Sequence, residues 1–304
     1  MADISDQFSK LLQQQDFPQG SLYVVATPIG NLADITYRAA FILANVDGIA
    51  CEDTRHTAVL LNHLGLQKPL VAIHDHNERE ASQIIIKHLQ NGQRWAYVSD
   101  AGTPGISDPG GRLVDSCASQ NLRIIPIPGP SAIATLISAS GKAINQSEGR
   151  FQFFGFLPTK SKDLQQVIHK IERSELATVI YEAPQRIETT LNRLKEGISD
   201  SSREIIIGRE LTKKFETISR LPISEIPKWL ETQNEFRGEF AIVIEGASIN
   251  KVTGDEISDE TMHLAKTLSS HLGSKQIAEI IAEMGLMSKK DAYQLALEIK
   301  KPAN

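Results

Sequence analysis

Cysteine is nearly absent from this chain of 304 residues: Cys51 and Cys117 are its only two, and no CxxC pair exists. That excludes a disulfide framework and a thiolate zinc site, and it fits a reducing compartment. No stretch reaches the ~20 apolar residues a membrane-spanning helix needs, so a cytoplasmic protein with no membrane partner is expected. Residues 1–20 are polar and glutamine-rich, without the basic start and apolar centre of a signal peptide, and read as a flexible tail. An excess of positive charge is also missing. With 32 Lys and Arg against 37 Asp and Glu, the formal net charge is −5, which opposes a broad nucleic-acid-coating surface while leaving room for a local basic face and an RNA substrate. The first strand-like run is not followed by GxGxxG, which counts against a dinucleotide oxidoreductase. Nor is there an HExxH. His74, Asp75 and His76 could be assembled with Cys51, Glu52 and Asp53 as a ligand set on paper, yet no metal is expected.

What is present from Ser21 onward is a regular alternation of short β-rich runs with longer amphipathic stretches. Leu22–Ala26, Gly48–Cys51, Leu70–Ile73, Trp95–Val98 and Leu122–Pro126 are strand candidates, each followed by a helical segment such as that from about Thr36 to Ala44. Such β-then-α units predict an α/β fold with a mostly parallel, doubly covered sheet over residues 21–149. A second α/β domain, with a mixed sheet, is expected over 150–246. Its strand-like runs are Phe151–Phe156, Thr178–Tyr181, Glu204–Gly208, Phe215–Ser219 and Glu239–Ile244, and its helices include Ser161–Arg173, one ending about Lys195, and one near Trp229. Residues 247–256 are polar and glycine-containing and read as a linker. Three helices follow over 257–304: Ser258–Leu272, Ser274–Met284 and Ser288–Lys300. Ser274 and Ser288 stand as N-caps and Gly273 and Gly285 as stops, while Ile277, Ile280, Ile281 and Met284 form an apolar stripe with a helix-turn-helix-like outline.

The strand ends would gather five turns at one edge of the first sheet, where ligands bind in open α/β folds. The longest is Ser99 to Pro109, with Gly102, Gly105, Pro104 and the carboxylates Asp100 and Asp108. Glycines and prolines at this density imply a backbone held in a partly left-handed path that a ligand can approach closely; a plain surface loop whose aspartates cap helices is the competing reading.

Six short motifs occur in register. They are Thr27-Pro28-Ile29-Gly30-Asn31-Leu32, Glu52-Asp53-Thr54-Arg55, Ser99-Asp100-Ala101-Gly102-Thr103-Pro104, Pro128-Gly129-Pro130-Ser131-Ala132, Gly155-Phe156-Leu157-Pro158 and Tyr181-Glu182-Ala183-Pro184. In this order they resemble the ribosomal RNA small subunit methyltransferase I branch of the tetrapyrrole methylase superfamily. The resemblance runs from about Leu22 to Gly246, and the carboxyl helices look like an extension found in many members. It implies two α/β domains with S-adenosylmethionine in the cleft between them. The implied activity is methylation of the ribose 2′-hydroxyl of a cytidine in 16S rRNA, on the small ribosomal subunit, by a homodimer. Carried over to this sequence, Pro28, Asp100, Ala101, Gly102, Thr103, Ile106, Ser131 and Ala132 would face the cofactor, joined by Tyr181, Glu182 and Leu211 from the second domain. Ser131 could instead cap the helix it begins.

A ribose hydroxyl is a weak nucleophile, so a base or a stabiliser of developing charge is needed. Glu182, Asp100 and Lys213 are the catalytic candidates, and no single base is singled out. Glu52, Asp53, Arg55, Arg186, Lys213 and Lys214 are candidates for holding substrate. For Glu182 with Arg186, and for Asp53 with Arg55, an internal ion pair or helix cap is the alternative. Two other functions remain open: a tetrapyrrole carbon methyltransferase of the same fold, or a non-catalytic ribosome-binding module.

Overall fold

The computed structural model describes residues 10–12, 14–74, 77–233, 235–248, 259–284 and 286–300. Asp75, His76, Gly285 and most of the expected linker lie outside them. Two compact units result, Met1–Ala247 and Ser248–Asn304.

The first unit holds two sheets. In the first, β1 (Ser21–Val25), β2 (Gly48–Cys51), β3 (Leu70–Ala72), β4 (Trp95–Val98) and β5 (Arg123–Ile127) pair in the order β3-β2-β4-β1-β5. Every pairing is parallel, so each crossover must carry the chain back over a face of the sheet. Alternation along β1 divides the core accordingly. Tyr23 and Val25 pack with Leu43, Ile49 and Leu60 on one face, and Leu22 packs with Ile85, Leu89, Tyr97 and Leu113 on the other. β1 lies between β4 and β5, with β2 and β3 beyond β4. The order therefore reverses beside β1, which opens a crevice at the carboxyl ends of β1 and β4. The expected tail is anchored before it reaches β1, so a loose reading does not hold at its end. The Phe17 ring lies 4.9 Å from Tyr23, and the Arg94 guanidinium lies 4.7 Å from Phe17.

The second sheet contains β6 (Phe151–Phe156), β7 (Ala177–Glu182), β8 (Glu204–Arg209), β9 (Thr217–Pro222) and β10 (Phe240–Ile244), ordered β6-β7-β10-β8-β9. Only β6 and β7 are parallel, so the sheet is mixed. One face buries Ile180, Ile205, Ile207, Ile242 and Ile244 under the helices Ser161–Arg173 and Ile187–Gly197. The other face presents Val179, Ile206, Ala241 and Val243 to Ile29, Ile133, Leu136 and Ile144 of the first half. This shared core fixes the two sheets against each other. Leu136 is fully buried in it, and its truncation to Ala should cost about 2–5 kcal/mol.

Among the described residues of the second unit, the helices Asp259–Ser269, Ser274–Glu283 and Lys289–Lys300 pack around Ala265, Ile277, Ile281, Leu295 and Ala296. Two expectations are corrected here. Gly273 rather than Ser274 is the N-cap, its N–H donating to Gln276 Oε1 at 3.1 Å while Ser274 Oγ donates to Ala296 O. Met284 leaves the apolar stripe and is 59% exposed, because the helix ends beside it. Ser288 does cap its helix, accepting from the Asp291 N–H at 3.2 Å.

Candidate active site

Two loops meet at the crevice and are joined by backbone. The Thr27 N–H donates to Gly102 O at 2.9 Å and the Gly102 N–H to Thr27 O at 3.0 Å. Gly102 sits at φ +80°, left-handed backbone that a side chain rarely tolerates, and an added β-carbon would lie 3.3 Å from Ile29 Cγ2. The Thr27 hydroxyl donates to Ser99 O at 3.3 Å, and the Thr103 hydroxyl donates to Pro130 O at 3.0 Å, tying the turns after β1, β4 and β5 together. Gly102 is thus needed for the shape of the loop, since its own N–H is taken by Thr27.

Beside this junction lies a cleft of about 280 Å³. From the first half it is lined by Ala101, Gly102, Thr103 and Ile106 on the β4 loop, and by Ser131 and Ala132 at the start of the helix Ala132–Ser138. Tyr181, Glu182 and Leu211 line it from the second half. Ser131 makes no capping bond, which removes the competing reading of its hydroxyl. The Tyr181 ring packs 5.0 Å from Phe153 and 5.8 Å from Phe156. Burial pushes its phenol up to about 12, so the hydroxyl stays protonated.

Two expected lining residues fall elsewhere. Pro28 is replaced by its neighbour Ile29, because the β1 turn points the latter into the core between the sheets. Asp100 does not line the cleft. Its Oδ1 accepts from the Asp53 N–H at 3.1 Å and its Oδ2 lies 3.5 Å from His56 Nδ1, so the carboxylate ties the β4 loop to the β2 turn.

The other catalytic candidates are also otherwise engaged. The Glu182 side chain is fully buried; Oε1 accepts from the Ala183 N–H at 2.9 Å and meets Arg186 Nε at 3.3 Å, and Oε2 accepts from Thr190 at 2.6 Å. These three contacts tie its carboxylate to the start of a helix. Lys213 Nζ donates to Glu210 at 2.8 Å and Glu239 at 3.0 Å. Burial alone would lower its pKa, but the two carboxylates raise it overall, so it is held as an ammonium and cannot serve as a base.

Of the substrate candidates, Arg186 is internal, donating from its guanidinium to Leu157 O at 2.6 Å as well as meeting Glu182. Asp53 caps the helix Thr54–His63 through the Arg55 N–H and grips the Arg55 guanidinium at 2.6 Å; these bonds hold its carboxyl well below the usual range. Arg55 itself is 89% exposed, and Lys214 is exposed with its Nζ 5.5 Å from the Phe215 ring. Glu52 stands on the same turn, close enough to raise the pKa values of Tyr97 and Asp108.

Several lining groups escaped the sequence reading: Ile29, Ser107, Asp108, Phe156, Glu239 and Phe240. For Asp108 the signal was present, since it shares its loop with Asp100. Asp108 is a half-buried carboxylate pushed up to about 6, first by burial and then by Glu52 and Asp100, with a hydrogen bond from Ser99 acting the other way.

Relatives of known name share most of this chain. Residues 21–227 match the model of the Tetrapyrrole (Corrin/Porphyrin) Methylases. The chain is 40% identical over 287 residues to the ribosomal RNA small subunit methyltransferase I of Escherichia coli O157:H7, covering 94% of this chain and 98% of that protein. It is 41% identical to the protein of that name from Synechocystis sp., covering 92% of this chain and 99% of the relative. Among solved structures, the methyltransferase CobJ superposes with a TM-score of 0.56 at 18% identity, covering 75% of this chain and 95% of its own. Uroporphyrin-III C-methyltransferase from Thermus thermophilus, complexed with S-adenosyl homocysteine, superposes at 0.51 with 14% identity, covering 73% and 96%. At those identities the likeness concerns the fold. By its sequence relatives, the chain belongs to the tetrapyrrole methylase family, in the branch of the ribosomal RNA small subunit methyltransferase I proteins.

Proposed function

We propose that this chain transfers a methyl group from S-adenosylmethionine to the ribose 2′-hydroxyl of a cytidine in 16S rRNA of the small ribosomal subunit, acting in the cytoplasm as a homodimer. The names of the relatives support the reaction and its RNA, and the cleft supports the cofactor. Among the described residues its charged lining groups are Asp108, Glu182 and Glu239, the last two meeting Arg186 and Lys213 behind the lining. That sign suits a ligand carrying a sulfonium and an ammonium. Ile29, Ile106 and Leu211 offer apolar walls for a flat ring, and the Ser131 hydroxyl offers a hydrogen-bonding edge. This acidic, half-apolar cleft is the observation that carries the reading.

When bound, S-adenosylmethionine supplies an electrophilic methyl group on a cationic sulfur. The residues that would hold it are Ala101 to Ile106, Ser131 and Ala132 on one side and Tyr181 and Leu211 on the other. Their fixed backbone positions the reactants, which is the larger part of catalysis in an in-line displacement. Arg55 and Lys214, whose cationic ends face solvent, are suited to RNA phosphates.

Nucleoside mass mapping of small-subunit rRNA, from cells with and without this protein, tests the proposal. Loss of one 2′-O-methylated cytidine is the expected result; an unchanged nucleoside map rejects it.

A further inference from the structure

Three carboxylates line the cleft, and two of them are engaged by a cation. Glu182 is held by Ala183, Thr190 and Arg186, and Glu239 receives Lys213. Asp108 has no cation among its described neighbours. The charged groups that face it are Glu52 from the β2 turn and Asp100 from the β4 loop, with Ser99 and the phenols of Tyr97 and Tyr181 nearby.

The loop bearing Asp108 is also unusually fixed. On its carboxyl side, Tyr97 donates to Pro109 O, and buried Glu78 accepts from the Gly110 N–H at 3.1 Å and the Arg112 N–H at 2.9 Å. On its amino side, Ser107 is held at φ +63° and lies against Gly155 of the second sheet. A carboxylate held on both sides is preorganised for proton transfer.

We infer that Asp108 is the general base that takes the proton of the ribose 2′-hydroxyl. The inference rests on the methyltransferase reading above. A hydroxyl lone pair forms the new C–O bond, and the C–S bond breaks with its electron pair remaining on sulfur. The hydroxyl proton moves to an Asp108 oxygen and then to water. The raised proton affinity of this carboxylate serves the role, because a base is most effective when its pKa approaches the working pH while it remains largely ionised. Glu52 and Asp100 act as positioning residues by maintaining that affinity.

Three measurements on the full chain test this. Carboxyl-carbon NMR of aspartate-labelled protein should show one group titrating near pH 6 that is missing from Asp108→Asn. Single-turnover methylation of purified small subunits should rise about tenfold per pH unit below that midpoint and then level, and Asp108→Asn should lose about 100-fold or more together with the inflection. Rates are compared at saturating S-adenosylmethionine, and calorimetric binding of S-adenosylhomocysteine shows that the cleft is folded. Glu52→Gln should move both midpoints to lower pH. A variant within about fivefold of the parent rate with the inflection kept would overturn the inference, as would an Asp108 carboxyl titrating near 4. Should Asp108→Asn fail to bind S-adenosylhomocysteine, Glu52→Gln decides by the position of its inflection. If the unmodified protein binds S-adenosylhomocysteine but methylates no RNA, the reading of its function fails and takes the inference with it.

Discussion

Ser107 and Gly155 touch across the two sheets: a β-carbon built on Gly155 would lie 2.9 Å from Ser107 Oγ. Gly155 sits at φ +63° at an irregularity in the pairing of β6 with β7, so the second sheet leaves a notch into which the β4 loop fits. Gly155→Ala meets two penalties, about 1–2 kcal/mol for left-handed backbone and a displaced Ser107. Thermal unfolding should show the lower stability, and S-adenosylmethionine affinity should fall with it, since Ile106 and Asp108 flank Ser107 in the cleft.

Gly102→Val should be more severe for binding. The valine would carry a branched side chain at φ +80° beside Ile29 and strain the paired hydrogen bonds to Thr27. Calorimetry should find S-adenosylmethionine affinity reduced at least about tenfold, with far-UV circular dichroism retained. Parental affinity would remove the β4 loop from the site.

Asp108 also predicts how stability depends on pH. Its folded pKa of about 6 lies above the ~3.9 of an unfolded aspartate. Its contribution is therefore fully present below about pH 4 and is lost as the pH rises through 6, where the folded chain is left with a half-buried charge. Asp108→Asn removes that loss. Its Tm relative to the parent should rise between pH 4 and 6 and stay level above; a constant difference across pH 4–8 would show that Asp108 is not perturbed.

The two lysines of the β8 loop should separate. Lys214 is exposed, so Lys214→Ala should reduce the salt slope of RNA binding by about one and spare S-adenosylmethionine affinity. Lys213 pairs with Glu210 and Glu239. Lys213→Met should instead lower stability, because it leaves two neighbouring carboxylates without their shared cation. Equal salt slopes for parent and Lys214→Ala would exclude that phosphate contact.

A chain ending at Ala247 should fold and bind S-adenosylmethionine, because the helices from Asp259 onward have a core of their own. Circular dichroism and calorimetry on that fragment check this. Loss of methylation on assembled subunits alone would assign the helices to docking on the particle, and full activity there would exclude that role.

The sheets were legible because β-rich runs are short, apolar and punctuated by turns: Trp95–Val98 begins and ends where it was expected, and Gly48–Cys51 does too. Strand ends without such punctuation shifted, as when the expected Phe215–Ser219 became Thr217–Pro222. The chemistry of individual carboxylates was less legible. Asp100 and Asp108 share one loop, and which of them faces the cleft is decided by the Asp53 N–H, which captures Asp100 from a distant turn. The pairing of Glu182 with Arg186 is one of the two readings its sequence allows, but its further partner and that of Lys213 are not legible there. Thr190 and Glu239, the partners that engage them, lie on other elements and are joined to them only by the fold.

The central claim is most directly tested by incubating the purified protein with methyl-labelled S-adenosylmethionine and, separately, small ribosomal subunits, naked 16S rRNA and a uroporphyrinogen, followed by mass spectrometry of the products. The account predicts label in one 2′-O-methylcytidine of the small-subunit RNA and none in the tetrapyrrole. Label on tetrapyrrole carbon, on a base rather than a ribose, or on no product at all would contradict it.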